Sequence, residues 1–178
     1  MPLHPSVKKW LQKAIAGSGV KASRVIEFGS CMMHGHNPRP CFPHTKPDDY
    51  IGVDWRDGEG VDVVGLAHVQ NLGPADCVIS TQVLEHDPFW KETITTMVFH
   101  LREGGLFFVT CAGPGTNPHE VHTAPEVPGY YENRSVSDVV DAMKEACEVH
   151  GLTVEVMDTW AEAAYPPRTC VWAKLTPS

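Results

Sequence analysis

Two short apolar runs, each closed by a glycine or an acid, constrain this chain more than any other feature. They are Arg24-Val25-Ile26-Glu27-Phe28-Gly29-Ser30 and Tyr50-Ile51-Gly52-Val53-Asp54. Such endings fit the carboxyl ends of neighbouring parallel strands, the edge along which open α/β sheets bind nucleotides. The remaining periodicity supports the same layout. Val7, Trp10, Leu11 and Ala14 recur at helical spacing before Gly17 and Gly19, which predicts an opening helix over 6–16. Between Gly29 and Pro47, Pro38, Pro40, Pro43 and Pro47 rule out a long regular helix. Further strands are expected at 61–64, 75–80 and 106–111.

A helix over 88–101 is expected to end at Gly104-Gly105, and another is expected to open at the N-cap Ser135 and stop at Gly151. Segments 152–160 and 169–175 read as two closing strands, antiparallel at the sheet edge. Alternating strands and helices predict an α/β three-layer sandwich with a mostly parallel sheet and an antiparallel edge strand. Between the strand at 106–111 and the last helix, Gly113 to Arg134 forms a loop long enough to be functional.

The 178 residues suit a single domain, an N-terminal helix over 1–22 and a core over 23–178. A formal net charge of -8 argues against a surface that tracks nucleic-acid phosphates. Six scattered cysteines, with Cys77 and Cys111 inside expected strands, fit a reduced cytoplasmic protein. No apolar stretch has the length of a signal core or a membrane span, so a soluble protein is expected. Nothing in the sequence sets an oligomeric state.

The two strand ends, with Asp76-Cys77-Val78-Ile79-Ser80-Thr81-Gln82-Val83-Leu84-Glu85-His86 and Leu101-Arg102-Glu103-Gly104-Gly105-Leu106, resemble the class I S-adenosylmethionine-dependent methyltransferases, in particular the small type 11-like group of bacteria and phages. The resemblance covers roughly 23–175 and implies a Rossmann-like sheet, S-adenosylmethionine as cofactor and methyl transfer to a small-molecule acceptor. It assigns Glu27, Phe28 and Gly29 to the loop beside the cofactor's methionine part, and Asp54 to the ribose hydroxyls. Trp55 would pack on the adenine, and Ala67 and His68 would line it, with Leu66 standing where the family usually has an acid. Ser80 and Thr81 would contact the cofactor near its sulfonium, while Glu85 would face the substrate.

Thr110 to Gly115 and Tyr130 to Asn133 resemble the segments that frame the acceptor, which makes Tyr131 a substrate-side residue. His86, His119 and His122 are the candidate general bases, because imidazole titrates near neutral pH. A noncatalytic module of the same fold that binds S-adenosylmethionine or a nucleoside is the competing reading. Cys31, His34, His36, Cys41 and His44 also offer five soft ligands within the proline-rich segment. Their spacing fits no standard zinc motif, and no metal is expected.

Overall fold

The computed structural model describes residues 4–32, 37–119, 127–162 and 167–178. Its strands are β1 (Val25–Phe28), β2 (Tyr50–Asp54), β3 (Val63–Val64), β4 (Ala75–Thr81), β5 (Leu101–Ala112), β6 (Leu152–Glu162) and β7 (Arg168–Pro177). Together they form a seven-stranded sheet in the order β3-β2-β1-β4-β5-β7-β6. All pairings among β1 to β5 are parallel, whereas β7 is antiparallel to both β5 and β6. The mostly parallel α/β sheet expected from the sequence is therefore present. The edge strand pairs antiparallel as expected: it is β6, and its neighbour β7 runs against both β5 and β6.

Strand β7 is inserted between β5 and β6, and β6 takes the edge. The cause lies in the two sequences. Cys170, Val171, Ala173 and Leu175 are fully buried, as an interior strand requires, while Thr153, Glu155, Asp158 and Thr159 of β6 are exposed.

Alternation within each central strand feeds two cores. Ile26, Phe28, Val78, Phe107 and Val109 face one side, and Val25, Cys77, Ile79, Leu106 and Phe108 face the other. Helices α2 (Trp90–Phe99) and α3 (Val136–His150) cover the first side through Ile94, Met97, Val139 and Met143. Helix α1 (Pro5–Ser18) covers the second through Leu11 and Ala14, with Cys41 and Phe42 of the proline-rich segment completing the layer. Each fully buried Leu or Ile in these layers contributes about 2 kcal/mol. In place of a regular helix, the proline-rich segment makes 3-10 turns at Arg39–Cys41 and Pro47–Asp49. Among the described residues no helix is long and apolar enough to cross a membrane.

Helix α3 starts as its sequence predicts. Ser135 Oγ accepts from the Asp138 N–H at 3.1 Å, and the Asp138 carboxylate accepts from the Ser135 N–H at 2.7 Å. Helix α2 ends earlier than its apolar spacing suggests. Leu101 is already paired with Ala75, and Gly104 and Gly105 occupy an irregularity in β5 before Leu106 pairs with Cys77. The third strand is also shorter than expected, at two residues.

Candidate functional site

In the parallel run β2-β1-β4-β5 the succession of strands switches sides at the β1/β4 boundary, and the loops leaving β1, β2, β4 and β5 meet along one rim. Register places Phe28 beside both Val53 and Ser80, and Thr81 beside Thr110. Gly29, Asp54 and Gln82 thus leave the sheet at neighbouring positions. Gly29 has φ +83°, and a Cβ on it would lie 2.1 Å from Val83 Cγ2. Only glycine lets the loop after β1 pack against the loop after β4.

The β1–β2 half of the rim is closed by its own partners. Glu27 is 1 % exposed and accepts a hydrogen bond from Tyr50 OH at 2.9 Å. Burial pushes its carboxyl up to about 8 despite that bond and the Arg39 charge. Arg39 lies over the Tyr50 ring at 4.5 Å and donates to Asp62 at 2.9 Å and to the Gly60 carbonyl at 3.0 Å. Asp62 in turn accepts from the Gly52 N–H at 2.7 Å. A Cβ on Gly52 would stand 2.0 Å from the Gly60 carbonyl oxygen, so the turn at 56–62 seats directly on β2.

Asp54 sits at the end of β2, 7 % exposed. Its Oδ2 accepts from the Cys31 N–H at 3.1 Å, and its Oδ1 from the Arg56 N–H at 2.9 Å, with Arg56 Nε at 3.6 Å. The carboxylate therefore fastens the first loop to the second strand while each oxygen keeps lone-pair capacity for a further donor. Trp55 is half-buried under the Arg56 guanidinium, 5.1 Å from its ring centre. Ala67 and His68 lie in a 3-10 turn, where the His68 ring meets Phe89 at 4.4 Å. The Phe28 side chain points into the core against His100, so only its backbone reaches the rim.

The β4–β5 half is different in kind. Ser80 is fully buried, and its Oγ has no hydrogen-bond partner among the described residues. Thr81 is also buried. Gln82 follows with φ +58°, a left-handed conformation that costs a side-chain-bearing residue of order 1 kcal/mol. Its N–H donates to the Thr110 carbonyl at 2.7 Å.

Beyond this turn Glu85 is completely buried, with no hydrogen-bond partner of good geometry at either carboxylate oxygen. Desolvation raises it to about 7, offset in part by its own amide, that of Ala112 and the Arg134 charge. Segment 130–134 docks here when the Glu132 N–H donates to the Glu85 carbonyl at 2.9 Å and the Arg134 N–H to the Ala112 carbonyl at 2.9 Å. The buried Arg134 is braced by an ion pair to Glu132 at 2.7 Å, by the Trp90 ring at 4.4 Å and by Tyr130 OH.

That docking brings together four residues from three separate stretches of the sequence, Glu85-His86, His119 and Tyr131. The rings of His86, His119 and Tyr131 form a near-equilateral triangle with centroid separations of 5.1, 5.2 and 5.1 Å. The Glu85 carboxylate reaches the same point, its oxygen and a ring nitrogen of each histidine lying within 4.8 Å of one another. Tyr131 OH has no partner among the described residues, and burial beside Glu85 pushes it up to about 12. His122 lies outside the described residues, as do His34 and His36 of the proline-rich segment.

The structure adds residues that sequence reading missed: Tyr50, Arg39 and Asp62 in the closed half, Gln82 and Arg134 in the open one. Only Arg134 carried a signal, since it directly follows the Tyr130 to Asn133 segment that the resemblance places at the acceptor.

No protein-family model matches this sequence, and no curated protein matches it. Solved structures do match its fold. The N-methyltransferase NodS from Bradyrhizobium japonicum, in complex with S-adenosylhomocysteine, aligns at TM-score 0.63 and 13 % identity over 95 % of this chain and 85 % of that one. The 1,6-didemethyltoxoflavin-N1-methyltransferase from Burkholderia thailandensis, with bound 1,6-didemethyltoxoflavin and S-adenosylhomocysteine, aligns at TM-score 0.65 and 13 % identity over 95 % and 76 %. An S-adenosylmethionine-dependent methyltransferase from Clostridium acetobutylicum aligns at TM-score 0.63 and 10 % identity over 95 % and 90 %. The chain has the fold of class I S-adenosylmethionine-dependent methyltransferases.

Proposed function

We propose that this chain, acting as one domain, is an S-adenosylmethionine-dependent methyltransferase whose acceptor is a small molecule. The observation that carries the reading is the rim itself. A glycine that admits no Cβ, a strand-end carboxylate and a buried orphan hydroxyl converge at the β1/β4 boundary of a fold shared with proteins solved around S-adenosylhomocysteine. Bound there, S-adenosylmethionine supplies an electrophilic methyl group on a sulfonium.

The chain's residues divide the remaining work. Gly29, by seating the loop after β1 against Val83, sets the backbone along which the cofactor's methionine part would lie, and Asp54 offers its spare lone pairs to vicinal hydroxyls in charge-assisted bonds. Trp55, Ala67 and His68 bound the side on which a purine would lie. Ser80 Oγ and Thr81 face the junction between cofactor and acceptor.

Glu85, His86, His119 and Tyr131 form the acceptor side. An oxygen or nitrogen acceptor would hydrogen-bond to Tyr131 OH and surrender its proton to this cluster, with His86 and His119 as bases and His122 a third candidate. Alignment of acceptor and donor would contribute several kcal/mol to the rate, and proton removal about a hundredfold or more.

One observation favours a second reading. The loop after β1 makes 3-10 turns at Arg39–Cys41 and Pro47–Asp49 where the family's glycine-rich turn and helix would stand, which suits a noncatalytic module of the same fold that binds the cofactor or a nucleoside. Calorimetric titration with S-adenosylhomocysteine tests both readings, because either one requires stoichiometric binding. Turnover of S-adenosylmethionine across a panel of small phenols, amines and carboxylic acids then separates them. No binding would reject both, and binding without turnover would favour the second.

A further inference from the structure

We propose that Glu85, His86 and His119 form a binding site for a divalent first-row metal ion, of which Zn²⁺ is the best fit. One carboxylate oxygen and two imidazole nitrogens lie within 4.8 Å of one another, drawn from two segments more than thirty residues apart. Donors around a single ion at about 2.1 Å stand roughly 3.0 to 3.4 Å apart, so small side-chain rotations close the set. His119 is exposed and has the room to make them.

A second observation points the same way. Glu85 is completely buried, one of its oxygens lies in this cluster, and neither oxygen has a hydrogen-bond partner of good geometry among the described residues. A buried carboxylate so placed is costly unless a cation or donor meets it. The Tyr131 ring borders the same point from a third direction, and its OH has no partner among the described residues.

The donor set selects the ion. Two imidazoles and one carboxylate suit zinc, iron, cobalt or nickel, whereas calcium and magnesium prefer all-oxygen sites. Three protein ligands leave coordination positions open, which is the pattern of catalytic rather than structural zinc. Burial falls from Glu85 through His86 to His119, so the open positions face outward.

This proposal departs from the sequence expectation that no metal is bound, and it places the ion away from the Cys/His-rich proline segment. Binding of the ion stands independently of methyl transfer; its use rests on that reading. There the ion would hold an acceptor oxygen beside Tyr131 OH and lower that oxygen's pKa, leaving the two imidazoles as ligands rather than bases.

The test uses untagged full-length protein stripped with a chelator. Isothermal titration with Zn²⁺ and absorption titration with Co²⁺ should both show one equivalent bound, with cobalt bands in the visible. His119→Ala, at an exposed position, and Glu85→Gln, close in volume, should each weaken Zn²⁺ binding by more than about tenfold, the lower range for losing mere supporting contacts. Circular dichroism confirms folding of each variant. A variant of the other candidate loop, Cys31→Ser with Cys41→Ser and His44→Ala, should bind as tightly as the parent.

Absence of stoichiometric binding, binding that His119→Ala leaves unchanged, or binding lost in the loop variant would each overturn the site. S-adenosylhomocysteine titrated in parallel keeps the two proposals apart. Its binding to protein that takes up no metal rejects only the metal site, and metal uptake without it rejects only the methyl-transfer reading.

Discussion

Two carboxylates, equally buried and 58 residues apart, sit on the two halves of the same rim with opposite surroundings. Glu27 has Tyr50 OH at 2.9 Å and belongs to a chain of contacts through Arg39, Asp62 and the Gly52 amide. Among the described residues Glu85 has no such side-chain partner and no hydrogen bond of good geometry at either oxygen, and Tyr131 OH nearby has no partner either. A polar group buried with its partners stabilises a loop; a polar group buried without them is a cost that a ligand can repay. The first half of the rim is therefore scaffold, and the second is where chemistry is to be sought.

The largest expected effect tests the scaffold half. Glu27 titrates near 4.5 when unfolded and about 8 when folded, so the folded state holds its proton more tightly. Stability should fall as pH rises from about 4.5 to about 8 and level off above. The ceiling for this one group is about 5 kcal/mol. The groups facing it are Tyr50, Arg39, Asp54 and Asp62. In urea unfolding at pH 5 and pH 9, Glu27→Gln should lose less stability than the parent. Identical losses would mean that Glu27 is not the buried acid described.

Gly52→Ala comes next. Its Cβ would fall 2.0 Å from a backbone oxygen that cannot yield, and about 3 kcal/mol of unfolding free energy should be lost. A midpoint unchanged in urea would show that the turn at 56–62 does not seat on β2.

Glu85→Gln should behave in the opposite sense. Methyl transfer should drop at least about a hundredfold, some 2.7 kcal/mol, while stability at neutral pH holds or rises by about 1 kcal/mol. Loss of stability with activity retained would reverse the assignment of the two halves.

Asp54→Ala bridges them, and S-adenosylhomocysteine affinity by calorimetry should weaken by roughly 1.5 to 3 kcal/mol. An unchanged affinity would leave Asp54 as a loop fastener alone. The smallest effect is Gln82→Gly, where relief of the positive φ and the added chain entropy nearly cancel, within about 1 kcal/mol by thermal unfolding.

What was legible in the sequence was local. Apolar runs ending in Gly29 and Asp54 mark the strand ends because burial and turn chemistry act within a few residues. Ser135 announces α3 because a cap needs only Asp138 three positions on. Insertion of β7 before β6 was not legible, since strand order depends on which of two strands is more apolar on both faces.

The Glu27–Tyr50 bond was equally hidden, because it requires β1 and β2 to pair with Glu27 beside Gly52. Glu85, His86, His119 and Tyr131 each stood out as residue types. Their convergence depends on the Glu132 amide reaching the Glu85 carbonyl, a contact across 47 residues that no spacing encodes.

The central claim is that the cofactor lies along the rim with its reactive end toward the open half. A crystal structure of the protein grown with S-adenosylhomocysteine tests it most directly. The account predicts ribose density against Asp54, the amino-acid end at Gly29 and the thioether sulfur facing Ser80 to Gln82. Density instead in the open hollow of about 460 Å³ beside α1, between Gln12, Ile15, Val20 and Pro43, would contradict it, as would a rim left empty at saturating ligand.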